Sequence, residues 1–120
     1  MLSPLVCIVD DDRALRDSVA DLMRSRGFRT AQFSTAFAFL TSEEKFSCKC
    51  VLADLQMPGM SGLDLKRAMA AEGLTTPVIV ITALAGDYWR KCATETGAEF
   101  LRKPFDADAL FGIVNQSIAA

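Results

Sequence analysis

Acidic, hydroxyl and ammonium side chains stand at the ends of apolar runs in this sequence. Asp10, Asp11 and Asp12 follow Leu5-Val6-Cys7-Ile8-Val9, and Asp54 follows Val51-Leu52-Ala53. Thr82 closes Val78-Ile79-Val80-Ile81, and Lys103 lies two residues beyond Phe100-Leu101. If these runs are neighbouring parallel strands, the acids, the hydroxyl and the ammonium converge on one rim of one sheet. Crowded carboxylates repel one another by roughly 1 to 4 kcal/mol per pair at contact distance, depending on the effective dielectric. Such a cluster persists when something positive occupies its centre, and hard oxygen ligands of this kind suit Mg²⁺ or Mn²⁺. The constellation reads as a metal-assisted phosphoryl-transfer site.

The elements that must position these groups follow from the apolar period. Leu15, Val19, Leu22 and Met23 keep helical spacing after the acids, so Arg13 to Arg26 is expected as an amphipathic helix stopped by Gly27. Phe28 to Phe33 reads as a second strand, and Ser34 or Thr35 as the cap of a second helix with Phe37 and Leu40 facing inward. Cys50 to Ala53 is the third strand, and the turn Met57-Pro58-Gly59-Met60-Ser61-Gly62 leads into a third helix over Leu63 to Glu72. Gly73 and the pre-proline stretch Thr75-Thr76-Pro77 end that helix. Val78 to Thr82 is apolar throughout, as expected for a strand covered by helices on both faces. A weakly amphipathic fourth helix over Gly86 to Thr96 ends at Gly97, and Glu99 to Arg102 is the fifth strand. Asp106 opens the last helix, with Leu110, Ile113, Val114 and Ile118 as its inward stripe. Strands alternating with helices in this way predict an α/β, (βα)5 fold: a doubly wound five-stranded parallel sheet, flavodoxin-like in order. Ligands of such sheets bind beyond the carboxyl ends of the strands, where the polar residues fall.

Composition narrows the function. The 120 residues suit one domain over 1–120, with a core large enough to need no disulfide or structural metal. A hydrophobic content of 51% argues against disorder. A net charge of −2 offers no basic surface for direct binding of nucleic acid. Cys7 lies within an apolar strand, and Cys48 and Cys50 are too close together for an ordinary structural loop, so reduced thiols are expected. With no histidine and no second cysteine pair, Cys48-x-Cys50 is not a zinc site. No basic-plus-apolar leader is present, and no apolar run approaches the roughly 18 residues of a membrane span. A cytoplasmic protein is expected.

Each polar residue has an ordinary alternative. Asp10 and Asp11 can give a metal two carboxylates, one directly and one through water, whereas Asp12 reads as an acid favoured by the helix dipole. Asp54 can be a metal ligand, a nucleophile or a plain strand-end residue. Thr82 is β-branched and fits a strand for that reason alone. A cis Lys103–Pro104 bond, which X-Pro peptides can adopt, would turn the loop and aim the ammonium at the acids. Lysine then serves as a point charge on phosphate oxygens.

The strings Ile8-Val9-Asp10-Asp11-Asp12, Asp54-Leu55-Gln56-Met57-Pro58-Gly59-Met60-Ser61-Gly62, Ile81-Thr82-Ala83 and Lys103-Pro104-Phe105 resemble the receiver domains of bacterial two-component response regulators. The early acid pair and the D-x-x-M-P-x-M-x-G string are the specific parts, and the resemblance spans the whole chain, nearest to the FixJ-like group. It implies a CheY-like sheet of order 2-1-3-4-5 and Asp54 as the phosphoacceptor for a sensor histidine kinase. It further implies Mg²⁺ held by Asp10, Asp11, Asp54 and the backbone carbonyl of Gln56. Thr82, Ala83 and Lys103 would then bind the phosphoryl group, with Thr82 and Phe100 as the switch pair. The switch would reshape the face made by the fourth helix, fifth strand and fifth helix, through which phosphorylated copies can dimerise. A DNA-binding output domain would lie outside these residues, and the chain would catalyse only its own phosphorylation and dephosphorylation. Leu84 is apolar where many receivers are polar, which bears on acyl phosphate lifetime. The run Asp87-Tyr88-Trp89-Arg90-Lys91 is bulky for this group and marks either a partner surface or packing over the site.

Two other classes fit less well. Phosphatases and phosphotransferases of haloacid-dehalogenase type place a second acid two residues after the nucleophile, where this chain has Gln56, and they carry a substrate cap for which there is no room. A flavin-type module needs a Ser/Thr/Gly phosphate-cradling loop after the first strand, where this chain has acids.

Overall fold

The apolar runs become five parallel strands of one sheet in the computed structural model, which describes residues 3–83, 91 and 94–119. They are β1 (Leu5–Val9), β2 (Arg29–Phe33), β3 (Cys50–Asp54), β4 (Val78–Thr82) and β5 (Glu99–Arg102), in spatial order β2-β1-β3-β4-β5. The expected order is therefore the observed one. The register pairs Val9 with Ala53, Asp54 with Ile81 and Thr82 with Arg102, which brings the carboxyl ends of β1, β3 and β4 level.

Helices cover both faces, so the inner strands bury residues of both parities. On one side Cys7, Val9, Val51, Ala53, Val78 and Val80 pack with Phe39, Leu63, Leu65 and Met69 of α2 (Ala36–Leu40) and α4 (Gly62–Ala71). On the other, Val6, Ile8, Leu52, Ile79 and Ile81 pack with Val19, Ala20 and Met23 of α1 (Arg13–Ser25) and Leu110, Phe111 and Val114 of α5 (Ala107–Ala119). A further short helix, α3 (Glu44–Ser47), follows α2.

Side-chain caps set the helix starts. Asp12 Oδ1 accepts from the Leu15 N–H at 3.2 Å, Thr35 Oγ1 from Ala38 at 3.0 Å, and Asp106 Oδ1 from Ala109 at 2.7 Å. Asp12 thus stands at the helix N-terminus, where the dipole favours an acid, and in addition caps it. Gly27, at φ 89°, follows the end of α1 in the left-handed conformation that glycine favours.

Two core assignments are corrected. Phe37 does not face inward but is 74% exposed, because capping at Thr35 turns Ala36, Phe39 and Leu40 toward the sheet and leaves Phe37 on the outer side. On α5 the buried stripe is Leu110, Phe111, Val114 and Ser117, with Ile113 and Ile118 half-buried at its margins. The expected helix over Gly86 to Thr96 lies largely outside the described residues, as do Leu84 and Trp89, while Lys91 and residues 94–96 are helical. Cys7, Cys48 and Cys50 are free and buried, and burial pushes the Cys50 thiol up to about 12. Among the described residues no helix is long and apolar enough to cross a membrane.

Candidate functional site

β1 ends by delivering Asp10 into the sheet rim at only 4% exposure, and the residue is held at three points. Its N–H donates to the Phe33 carbonyl at 3.1 Å, extending the β1–β2 pairing by one step. Its Oδ1 accepts from the Asp12 N–H at 2.9 Å, and its carbonyl accepts from Arg16 Nη1 at 2.7 Å. Asp11, next along the chain, is exposed at the surface of the cluster.

Asp54 closes β3, and the pairing with β4 carries on past it through the Leu55 N–H to the Ile81 carbonyl at 2.8 Å. Its Oδ1 accepts from the Gln56 N–H at 2.9 Å, and Lys103 Nζ donates to its Oδ2 at 3.3 Å. The side chains of this pair are 13% and 26% exposed, so water screens the contact less than on an open surface. Lys103 reaches the acids from the loop after β5, where its N–H donates to the Thr82 carbonyl at 2.7 Å and its bond to Pro104 is cis.

The turn after Asp54 is built for close approach. Gly59 has φ 83°, and Ser61 caps α4 in a reciprocal box with Asp64. Gly62 then starts α4 against the end of β3: a Cβ there would lie 2.9 Å from the Asp54 carbonyl oxygen and 3.2 Å from that of Ala53. Only glycine lets this helix start press so closely on the backbone of Asp54.

Carboxylate oxygens of Asp10, Asp11 and Asp54 all lie within 4.8 Å of one another. Among the described residues, three acids face the Lys103 ammonium and, on the Asp10 carbonyl, the Arg16 guanidinium, so negative charge remains in excess. Burial, the largest influence, pushes the Asp10 carboxyl up to about 6; the Asp12 N–H opposes it, the charge of Asp54 adds to the rise, and Lys103 and then Asp11 act by less in opposite directions. An all-oxygen donor set with excess negative charge fits a hard divalent cation of the Mg²⁺ class.

The structure thus gathers Asp10, Asp11, Asp54 and Lys103 into one cluster and brings Gln56 beside Asp54 through its N–H. Thr82, 1% exposed, ends β4 on the same rim one position beyond the partner of Asp54, and Ala83 follows it exposed. Phe100 is half-buried on β5 opposite Val80, two residues before the partner of Thr82. Sequence reasoning did not single out Arg16 or the close approach of Gly62. The only signal for Arg16 was a cation one turn into the helix that the acids open.

Residues 6–115 match the model of the response regulator receiver domain, and the chain belongs to that family. It is 36% identical to the response regulator protein TmoT of Ectopseudomonas mendocina over 95% of this chain and 52% of that protein. It is 35% identical to the transcriptional regulatory protein FixJ of Bradyrhizobium diazoefficiens over 94% of this chain and 56% of that protein. Full-length FixJ from B. japonicum superposes with a TM-score of 0.90 at 33% identity, over 99% of this chain and 59% of that one. The chain therefore spans about half the length of the curated relatives it matches. It is a receiver domain of the two-component response regulators, a signalling domain.

Proposed function

We propose that Asp54 is the phosphoacceptor of this receiver and takes its phosphoryl group from a sensor histidine kinase. One observation carries the reading: the Asp54 carboxylate lies against Lys103 Nζ at 3.3 Å and within 4.8 Å of the Asp10 and Asp11 carboxylates. A carboxylate attacks an anionic phosphoryl group poorly until charge is neutralised. When bound by Asp10, Asp11, Asp54 and the Gln56 carbonyl, Mg²⁺ supplies the missing positive charge and a Lewis acid for the phosphoryl oxygens. An Asp54 oxygen forms the new O–P bond as the P–N bond to the kinase histidine breaks, and that nitrogen recovers a proton from water.

The acyl phosphate carries about two negative charges where the carboxylate carried one, a net gain of about one at Asp54 spread over new acceptor oxygens. Lys103 pairs with the new oxygens, and Thr82 and Ala83 line their place at the end of β4. Movement of the Thr82 hydroxyl toward the phosphoryl group opens space for the ring of Phe100, half-buried on the neighbouring strand. That exchange alters the face carrying β5 and α5, the surface through which phosphorylated copies would pair. Residues 1–120 act as one module, in the cytoplasm, coupled to a DNA-binding output segment; in support, the FixJ relatives are named transcriptional regulatory proteins, and this chain matches only 56% and 54% of their lengths. Chemistry on other substrates is not part of this reading.

Borohydride reduction tests the site of attack, since it converts an aspartyl phosphate to homoserine. After treatment with acetyl phosphate and Mg²⁺, peptide mass spectrometry should find homoserine at position 54. Homoserine at another aspartate, or a phosphoserine or phosphothreonine, overturns the assignment.

A further inference from the structure

Asp11 is exposed, yet it must present its carboxylate toward Asp10 and Asp54. It sits in the short link between β1 and α1, outside the ladder of either element. The peptide unit joining Asp10 to Asp11 consequently sets the direction in which Asp11 leaves the sheet. Its carbonyl, that of Asp10, is gripped at 2.7 Å by Arg16 Nη1. Arg16 is itself fixed by helix α1, where its N–H donates to the Asp12 carbonyl at 2.9 Å, and its side chain is half-buried. A charge-assisted bond of this length, from a planar guanidinium with little freedom left, is a rigid clamp.

We propose that Arg16 is the positioning residue of the cation site: it locks the Asp10–Asp11 peptide so that both carboxylates face Asp54. The proposal rests on the reading of these acids as the metal site. Arg16 reaches the site through the Asp10 carbonyl, so its effect passes through the two acids.

The sign of the effect separates positioning from charge. A guanidinium near a divalent cation repels it, so by electrostatics alone its removal would tighten metal binding. A clamp that orients the ligands predicts the reverse: loss of a residue that fixes the metal's ligands weakens metal affinity by about tenfold or more. A merely structural role would lower stability and leave the affinity of the folded protein unchanged.

The test is Mn²⁺ binding by the whole chain, read from the electron paramagnetic resonance of the free ion, with circular dichroism showing each variant folded at the working temperature. R16M keeps the apolar stem but has no donor, and R16K keeps the charge and N–H donors on a single terminal nitrogen. The expected result is a Kd raised about tenfold in R16M and brought back toward wild type in R16K. R16L, which also has no donor, takes the place of R16M should that variant not fold. A Kd unchanged or lowered in the donor-free variant, or R16K as weak as that variant, overturns the clamp. Failure of wild type to bind Mn²⁺ would instead overturn the metal site itself.

Discussion

Asp10→Asn should stabilise the metal-free protein at neutral pH. The substitution keeps the side-chain oxygen that accepts the Asp12 N–H at 2.9 Å, and removes a charge buried to 4% exposure. Burial and the neighbouring Asp54 and Asp11 raise the Asp10 carboxyl from 3.8 to about 6. A raised acid favours the folded state while protonated, so this contribution is full below the unfolded value and is lost as pH climbs through the folded one. Linkage with those two values costs the wild type about 1 kcal/mol at pH 4.5 and about 3 kcal/mol at pH 7.5. The advantage of Asp10→Asn should therefore grow by about 2 kcal/mol between the two pH values. At pH 7.5 it corresponds to a rise in Tm of roughly 10 °C for a domain of this size. Urea denaturation of both proteins in EDTA, at pH 4.5 and pH 7.5, measures the difference directly. A variant no more stable than wild type at pH 7.5, or an advantage equal at both pH values, refutes the idea of an acid strained by its burial and its neighbours.

Other substitutions probe other parts of the site. Gly62→Ala drives a methyl to 2.9 Å from the Asp54 carbonyl oxygen, and should cost about 1–3 kcal/mol in thermal unfolding; an unchanged Tm would show that α4 does not press on β3 as described. Lys103→Ala removes a charge-assisted contact of about 1.5–3 kcal/mol to a poorly solvated anion, and should spare metal binding while abolishing the structural response to phosphorylation. Size-exclusion chromatography with beryllofluoride and Mg²⁺ should then shift wild type toward a dimer and leave Lys103→Ala unmoved, whereas equal shifts would remove Lys103 from the switch.

The strands were legible because their physics is local: β1, β3 and β4 are covered on both faces, so they read as unbroken apolar runs whose ends mark the rim. Asp10, Asp54, Thr82 and Lys103 could be placed for the same reason, each standing at or just past a strand end. Short helices were less legible. α2 has five residues, too few to establish a helical period, which is how Phe37 was assigned to the core in place of Phe39. α3 has four residues and no side-chain cap, so neither period nor punctuation announced it. On α5, Phe111 joins the buried stripe beside the end of α1, where the Arg26 guanidinium lies 4.2 Å from its ring centre, and Ser117 is buried near Cys48, Lys49 and Pro77. Arg16 and Gly62 escaped notice because each acts on a backbone carbonyl, and side-chain patterns carry no record of carbonyls.

The account stands on Asp54 as a nucleophile that works only with a divalent cation beside it. Intact-mass spectrometry after incubation with acetyl phosphate measures this most directly. With Mg²⁺ the wild type should gain one phosphoryl group, about 80 Da, in a base-labile bond that hydroxylamine cleaves. The same incubation in EDTA, or of Asp54→Asn with Mg²⁺, should leave the mass unchanged. A phosphoryl group acquired equally without divalent cation, or retained in Asp54→Asn, would contradict the central claim.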